Sequence, residues 1–135
     1  MASYSKRSLS EKLGIKSGSK ILFSNEPQNY KEVLGSLPKT VMIEHEGNGP
    51  FDLIQYFTTQ QKKLKQSFPK LKEKLAIDGS LWISWPKQSS KVPTDLNEND
   101  VMHIGLEYGL VDVKVIAVDE TWSGLKFVYR LKDRI

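Results

Sequence analysis

Short apolar runs alternate with segments in which apolar residues recur at helical spacing. The apolar runs are typical of strands because they are short and rich in β-branched and aromatic residues. The predicted strands lie at residues 20–24, 40–44, 51–57, 80–85, 112–118 and 125–130. The predicted helices cover residues 8–13, 25–35, 58–75 and 97–108. Strand and helix therefore alternate along the chain before a terminal hairpin, which predicts an α/β protein with a mostly parallel sheet and helices on its faces.

Several local signals define these elements. Asn25 is predicted to cap the second helix, and Pro69 is predicted to kink or split the third helix near Phe68. Residues 78–79 are expected to form a turn before the fourth strand, and residues 119–124 are expected to form the hairpin turn.

The connection between the second and third strands is short. Only residues 45–50 separate them, whereas parallel crossovers usually need about a dozen residues. The chain from Ile43 to Asp52 reaches about 26 Å when fully extended, so a bare parallel return is feasible. A very short or antiparallel second strand is the alternative.

Composition limits the class of protein. The chain has 135 residues, 39% of them hydrophobic and 27% charged, which predicts a single domain at residues 8–135 behind a frayed segment at residues 1–7. The formal net charge is +4, but acidic residues are interspersed throughout, so a nucleic-acid partner is not favoured. The absence of cysteine excludes disulfides and thiolate chemistry. Since no signal peptide or membrane-length apolar run is visible, we expect a cytoplasmic protein.

The turn after the first strand lacks glycine. Nucleotide-binding α/β proteins place a glycine-rich loop there, because bare backbone can approach a phosphate closely. In this chain, residues 24–30 read SNEPQNY. The sequence therefore predicts a cofactor-binding scaffold without its usual cofactor loop.

Several segments resemble known families. The segment GSLWISWPK at residues 79–87, FDLI at residues 51–54 and the stretch at residues 97–130 resemble class I S-adenosylmethionine-dependent methyltransferases. Over nearly the whole chain, the sequence more closely resembles an uncharacterised bacterial family of unknown function. The segments that carry this second resemblance are LGIKSG at 13–18, SWPK at 84–87, PTDL at 93–96, GLVDVKV at 109–115 and DETWSGLK at 119–126.

The resemblance implies a three-layer Rossmann-like sheet of about six strands, in the order 2-1-3-4-6-5 with the last strand antiparallel. It also implies how a cofactor would be held. Glu44 lies where a methyltransferase places the acid that binds the cofactor ribose. However, the next helix–strand–helix unit, which helps to hold the adenine, is missing, as is the glycine loop. We therefore expect no cofactor.

Ligands of open α/β sheets bind beyond the carboxyl ends of the strands. At this rim we place the candidate ligand or partner residues Asn25, Glu26, Glu44, Thr58, Trp85, Lys87, Asp119, Glu120 and Trp122. The alternative is that these are ordinary solvated loop ends.

The stretch at residues 119–122 has two interpretations of its own. In the first, Trp122 covers a ligand and Asp119 or Glu120 binds a cation. In the second, Asp119 accepts backbone hydrogen bonds and Trp122 packs on the sheet.

No catalytic residue or metal site is predicted. No nucleophile motif occurs, and His45 points away from Glu44 and Glu46 if the strand continues through them. We interpret the chain as a noncatalytic methyltransferase-like module that binds a protein or small ligand at the rim. The alternatives are an active methyltransferase with an altered cofactor loop and, less favoured, a nucleic-acid-binding module that uses the lysine-rich helix at residues 62–74.

Overall fold

The computed structural model describes residues 7–134, so all but one residue of the segment predicted to be frayed lies outside the described part. The strands are β1 (Lys20–Ser24), β2 (Met42–Glu44), β3 (Phe51–Phe57), β4 (Leu75–Pro86), β5 (Leu110–Ala117) and β6 (Trp122–Tyr129). The helices are α1 (Leu9–Leu13), α2 (Tyr30–Leu34), α3 (Gln61–Glu73) and α4 (Glu98–Glu107), with short 3-10 turns at Gln88–Ser90 and Leu131–Asp133. Within the described range, no helix is long and apolar enough to cross a membrane.

The six strands form one sheet in the order β2-β1-β3-β4-β6-β5, as predicted. β1 is parallel to both β2 and β3, and β3 is parallel to β4. β6 is antiparallel to both of its neighbours, β4 and β5. The direction of β2, which the sequence left open, is therefore parallel.

Residues 45–50 alone connect β2 to β3. Leu22 of β1 lies opposite both Glu44 and Ile54, so the loop must return to Phe51, about 10 Å back along the sheet and about 10 Å across it. An extended six-residue connection spans about 20 Å, which suffices. The loop passes close to the end of α3, because a Cβ on Gly49 would lie 2.5 Å from the carbonyl oxygen of Lys74.

Two hydrophobic cores lie on opposite faces of the sheet. The first face is covered by α1 and α2, and its buried side chains include Phe23, Tyr30, Phe57 and Trp82. The second face is covered by α3 and α4, and its buried side chains include Leu22, Phe51, Leu64, Phe68, Trp85 and Phe127. Since successive strand residues point to opposite faces, β4 contributes one tryptophan to each core, as the alternation predicted.

One predicted helix feature is wrong, and a second is wrong in part. Asn25 does not cap α2, which begins only at Tyr30 and has Asn29 at its cap without a side-chain hydrogen bond. Pro69 does not split α3, which runs through it without a break, whereas a kink at this residue stays a prediction. Pro69 and the Lys65 residue one turn before it are both exposed, so water can satisfy the carbonyl that a proline leaves without a donor.

Two predicted turns also differ from the structure. Residues 78–79 lie within β4, where they belong to a bulge: Phe51 pairs with Leu75 and Leu53 with Ser80, which leaves residues 76–79 opposite Asp52 alone. The hairpin turn ends earlier than predicted, because β6 already begins at Trp122. The pairing of Pro86 with Trp122 extends the sheet up to the rim.

Candidate functional site

The strand order reverses next to β1. The chain leaves β1 and passes through α2 to β2 on one side, whereas β3 lies on the other side. In open α/β sheets, the crevice beyond the carboxyl ends of the strands at such a reversal is the usual ligand site. The carboxyl ends of β1 and β3 are therefore the expected position of a ligand site.

The side chain of Tyr30 packs against the first face of the sheet, next to the carboxyl ends of β1 and β3. It is only 2% exposed, and it makes edge-to-face contacts with Phe23 of β1 at 5.3 Å and with Phe57 of β3 at 4.9 Å between ring centroids. Its hydroxyl donates a hydrogen bond to Oε1 of Gln55, and Nε2 of Gln55 donates to Oγ of Ser84 at 3.0 Å. A satisfied polar chain thus runs from α2 across β3 to β4.

The environment of Tyr30 keeps its phenol neutral. Burial raises the pKa of Tyr30 well above its usual value of 10.0, and the charges of Asp119 and Glu26 add to this effect. Gln55 and Ser84 are fully buried, so their hydrogen-bonding groups depend on partners within the protein. The Tyr30 hydroxyl is therefore a structural donor at neutral pH.

The loop before α2 is held so that Tyr30 packs against the sheet. Asn25 has a left-handed φ of 62°, which asparagine tolerates better than most residues, and its Nδ2 donates to the carbonyl of Phe57 at 3.3 Å. The N–H of Tyr30 donates to the carbonyl of Pro27 at 3.1 Å. Asn25 thus ties the loop to the end of β3 instead of capping the helix.

Trp122 extends the aromatic packing along the rim. Its ring meets Phe57 edge to face at 5.2 Å, and the side chain is half-buried. One carboxylate oxygen of Asp119 accepts hydrogen bonds from the N–H groups of Thr121 and Trp122, both at 2.8 Å. These contacts are the ones expected if the hairpin end has a structural role.

A groove of about 420 Å³ opens beside Tyr30, between α2 and β2, and we call it the α2–β2 groove. Its apolar wall includes Phe23, Tyr30, Leu34 and Ile43, and its polar residues include Glu26, Lys31 and His45. Nδ1 of His45 lies 2.7 Å from a carboxylate oxygen of Glu26. This pair places a carboxylate and an imidazole beside the apolar wall.

Two predicted rim residues lie on the other face of the sheet. Glu44 is opposite Leu22, and its carboxylate lies 3.8 Å from the ammonium of Lys20, away from Ile43 and the α2–β2 groove. Trp85 is buried in the second-face core, where it is 5% exposed.

The remaining predicted residues follow the rim. Thr58 is buried, and its N–H donates to the carbonyl of Ser84 at 3.0 Å. The N–H of Lys87 donates to the carbonyl of Thr121 at 2.8 Å, which closes the rim between β4 and the hairpin. Glu120 is exposed. The fold thus brings Asn25, Thr58, Asp119 and Trp122 around Phe57, and Glu26 into the groove; ligand binding by these residues stays a prediction.

The sequence pattern did not identify Tyr30, Gln55 and Ser84 as a unit. The sequence predicts Tyr30 only as part of a helical stripe, and Gln55 lies among the apolar residues 53–57 of β3. That isolated glutamine was the available signal, because a buried amide needs hydrogen-bond partners.

Other candidate chemistry is limited. Within residues 7–134, no group of three or more histidine and carboxylate side chains is placed to hold a metal ion. In the lysine-rich helix α3, Lys72 donates from its ammonium to the carbonyl of Tyr108 at 2.8 Å, at the end of α4. At least one lysine of this helix is therefore engaged in helix packing.

Several solved structures with a similar fold are methyltransferases. A SAM-dependent methyltransferase from Aquifex aeolicus superposes with a TM-score of 0.60 at 16% identity, over 87% of this chain and 85% of that one. A TehB-like SAM-dependent methyltransferase from Corynebacterium glutamicum gives 0.55 at 11% identity, over 90% and 85% of the two chains.

A third similar structure is the magnesium protoporphyrin IX methyltransferase from Synechocystis PCC 6803, solved with bound SAM. It gives a TM-score of 0.57 at 11% identity, over 90% of this chain and 74% of that one. No family model and no curated protein matches the sequence. The chain has the Rossmann-like fold of these enzymes, and identities this low establish the fold alone.

Proposed function

We propose that this chain is a noncatalytic methyltransferase-like module that binds a small ligand in the α2–β2 groove. The observation that carries the proposal is the placement of Tyr30. Its ring packs on Phe23 and Phe57 next to the carboxyl ends of β1 and β3, and its hydroxyl is bonded to the buried Gln55.

The residues of this chain do not fit S-adenosylmethionine. The loop that follows β1 carries side chains at every position, and it ends in the buried Tyr30. Glu44, the one acid in the position expected for ribose binding, faces the opposite side of the sheet and lies beside Lys20. The connection of residues 45–50 provides no further helix and strand against which an adenine could rest.

The α2–β2 groove favours a small ligand with an apolar body and one polar group. Its volume of about 420 Å³ falls within the usual range for small-molecule sites, about 300–1,000 Å³. Phe23 and Ile43 offer an apolar wall, and the Glu26–His45 pair offers a carboxylate at its edge. We therefore expect an aromatic or aliphatic ligand with a cationic or hydrogen-bond-donating group.

The first test is calorimetry of the wild-type chain with S-adenosylmethionine and S-adenosylhomocysteine. We expect no binding heat at millimolar cofactor. A dissociation constant in the micromolar range would overturn the proposal and favour an active enzyme, because methyltransferase chemistry requires the cofactor. A methyltransferase of the same fold that binds the cofactor is the positive control.

The second test maps small aromatic fragments onto the chain by NMR. Phenethylamine, phenethyl alcohol and phenylacetate share a ring but differ in charge. We expect the amine to shift the backbone signals of the α2–β2 groove more strongly than the carboxylate does. Ile43→Glu should abolish these shifts, whereas Met42→Glu on the neighbouring exposed residue should preserve them. Equal shifts with all three fragments, or none, would contradict the expected ligand chemistry.

A further inference from the structure

A second groove lies at the opposite end of the sheet, away from the α2–β2 groove. It has a volume of about 460 Å³ and lies between the loop of residues 14–19 and the amino-terminal parts of β3 and β4. We call it the amino-end groove. Lys16, Ser17, Ser19, Ser80 and Lys126 contribute to its wall. Ammonium and hydroxyl groups therefore surround a space large enough for a small molecule.

Lys126 occupies an unfavourable position in the absence of an anion. It is directly opposite Lys114 in the β5–β6 register, and like charges opposite one another in a sheet are destabilising. It is half-buried, and among residues 7–134 no carboxylate lies within 4.0 Å of its ammonium. Burial lowers the pKa of Lys126, and the nearby charges of Lys114 and Lys16 lower it further.

Two carboxylates also line the amino-end groove. One oxygen of Asp52 accepts the N–H of Lys20 at 2.9 Å, so this side chain is held in place by the start of β1. Asp78 is exposed within the bulge of β4. A simple anion would gain nothing from these carboxylates, whereas a ligand that also carries hydroxyl groups can donate hydrogen bonds to them.

We infer that the amino-end groove binds a small phosphorylated polyol, with its phosphate beside Lys126 and Lys16 and its hydroxyls toward Asp52 and Asp78. Phosphate is suited to this position because ammonium–phosphate hydrogen bonds are charge-assisted and stronger than neutral ones. A bound phosphate also relieves the repulsion between Lys126 and Lys114. The inference is independent of the α2–β2 groove, because the two sites share no residue.

The test is an NMR titration of the wild-type chain with ribose 5-phosphate, inorganic phosphate and ribose. We expect ribose 5-phosphate to shift the backbone signals of residues 14–19 and 80, with a dissociation constant of about 1 mM or below. Inorganic phosphate should bind more weakly at the same residues, and ribose should not bind. Ribose 5-phosphate should also raise the pKa of Lys126, measured on its side-chain carbon signals, because a neighbouring anion favours the charged ammonium.

Two variants test the contribution of Lys126 to ribose 5-phosphate binding. Lys126→Gln should weaken ribose 5-phosphate binding about tenfold. The matched control is Lys63→Gln on α3, which is exposed and distant from the groove and should leave binding unchanged. The inference is overturned if the wild-type chain shows no shifts in the amino-end groove, if ribose binds as well as its phosphate, or if both variants bind equally.

Discussion

The hydroxyl of Tyr30 donates a hydrogen bond to the side-chain oxygen of Gln55, and both residues are buried, Tyr30 at the start of α2 and Gln55 within β3. This bond joins a helix residue to the middle of the sheet. The bond also favours this one arrangement of the two side chains, because a buried amide without a partner is destabilising. The stability of the chain should therefore depend on this hydroxyl.

Tyr30→Phe should lower the free energy of unfolding by about 1–3 kcal/mol, because it leaves the Gln55 oxygen buried without a donor. Urea denaturation of the two proteins measures this difference. A double-mutant cycle with Gln55→Leu should give a coupling of about 1 kcal/mol, since the second change removes the orphaned oxygen. Additive effects would show that the two side chains do not stabilise each other.

Tyr30 should also make stability fall at alkaline pH. Because burial raises its folded-state pKa, the folded protein holds this proton at a pH at which the unfolded chain releases it. The contribution is fully present below pH 10.0, the unfolded value, and is lost as the pH rises above it, by up to about 1.4 kcal/mol per pH unit.

Denaturation at a series of pH values between 9 and 12 tests this dependence. Tyr30→Phe lacks the titrating group, so its stability should fall less steeply than that of the wild-type chain over this range. The two proteins share every other ionisable group, so the difference between the two curves isolates Tyr30. Parallel curves would contradict the raised pKa.

Gly105→Ala should destabilise the chain by about 1–3 kcal/mol through overpacking. A Cβ at this position of α4 would lie 2.0 Å from the ring of Phe127, which is fully buried in β6. The control is His103→Ala, which adds a good helix former on the exposed side of the same helix. Thermal denaturation should show a lower midpoint for the first variant alone.

Asp119→Ala should cost about 1–3 kcal/mol, because the carboxylate accepts two backbone N–H groups at the hairpin end. Asp119→Asn retains an acceptor oxygen and should recover part of this loss, whereas Glu120→Ala removes only an exposed side chain.

Urea denaturation with and without millimolar Ca²⁺ distinguishes the structural interpretation of residues 119–122 from the cation-site interpretation. A wild-type chain that Ca²⁺ stabilises, and an Asp119→Ala variant that it does not, would favour the cation site.

Local pattern was sufficient for most of the architecture. The apolar run at β3, the alternation that gives Trp82 and Trp85 to opposite faces, and the glycine-free turn after β1 were all visible in the residues. These features depend on neighbours in the chain, because side-chain direction has a fixed period in a strand. The same local rules were wrong where tertiary packing outweighed them, as at Pro69, where the buried side chains of Leu64, Phe68 and Leu71 hold one continuous helix.

Only the tertiary structure placed Glu44 away from the α2–β2 groove, Tyr30 beside Gln55 and Lys126 opposite Lys114. Each of these relationships depends on strand register or on the path of a loop. A shift of one residue in register would turn every side chain of a strand to the other face. The amino-acid order therefore specified that the turn after β1 lacks glycine, whereas long-range packing decided which side chains meet next to the carboxyl ends of β1 and β3.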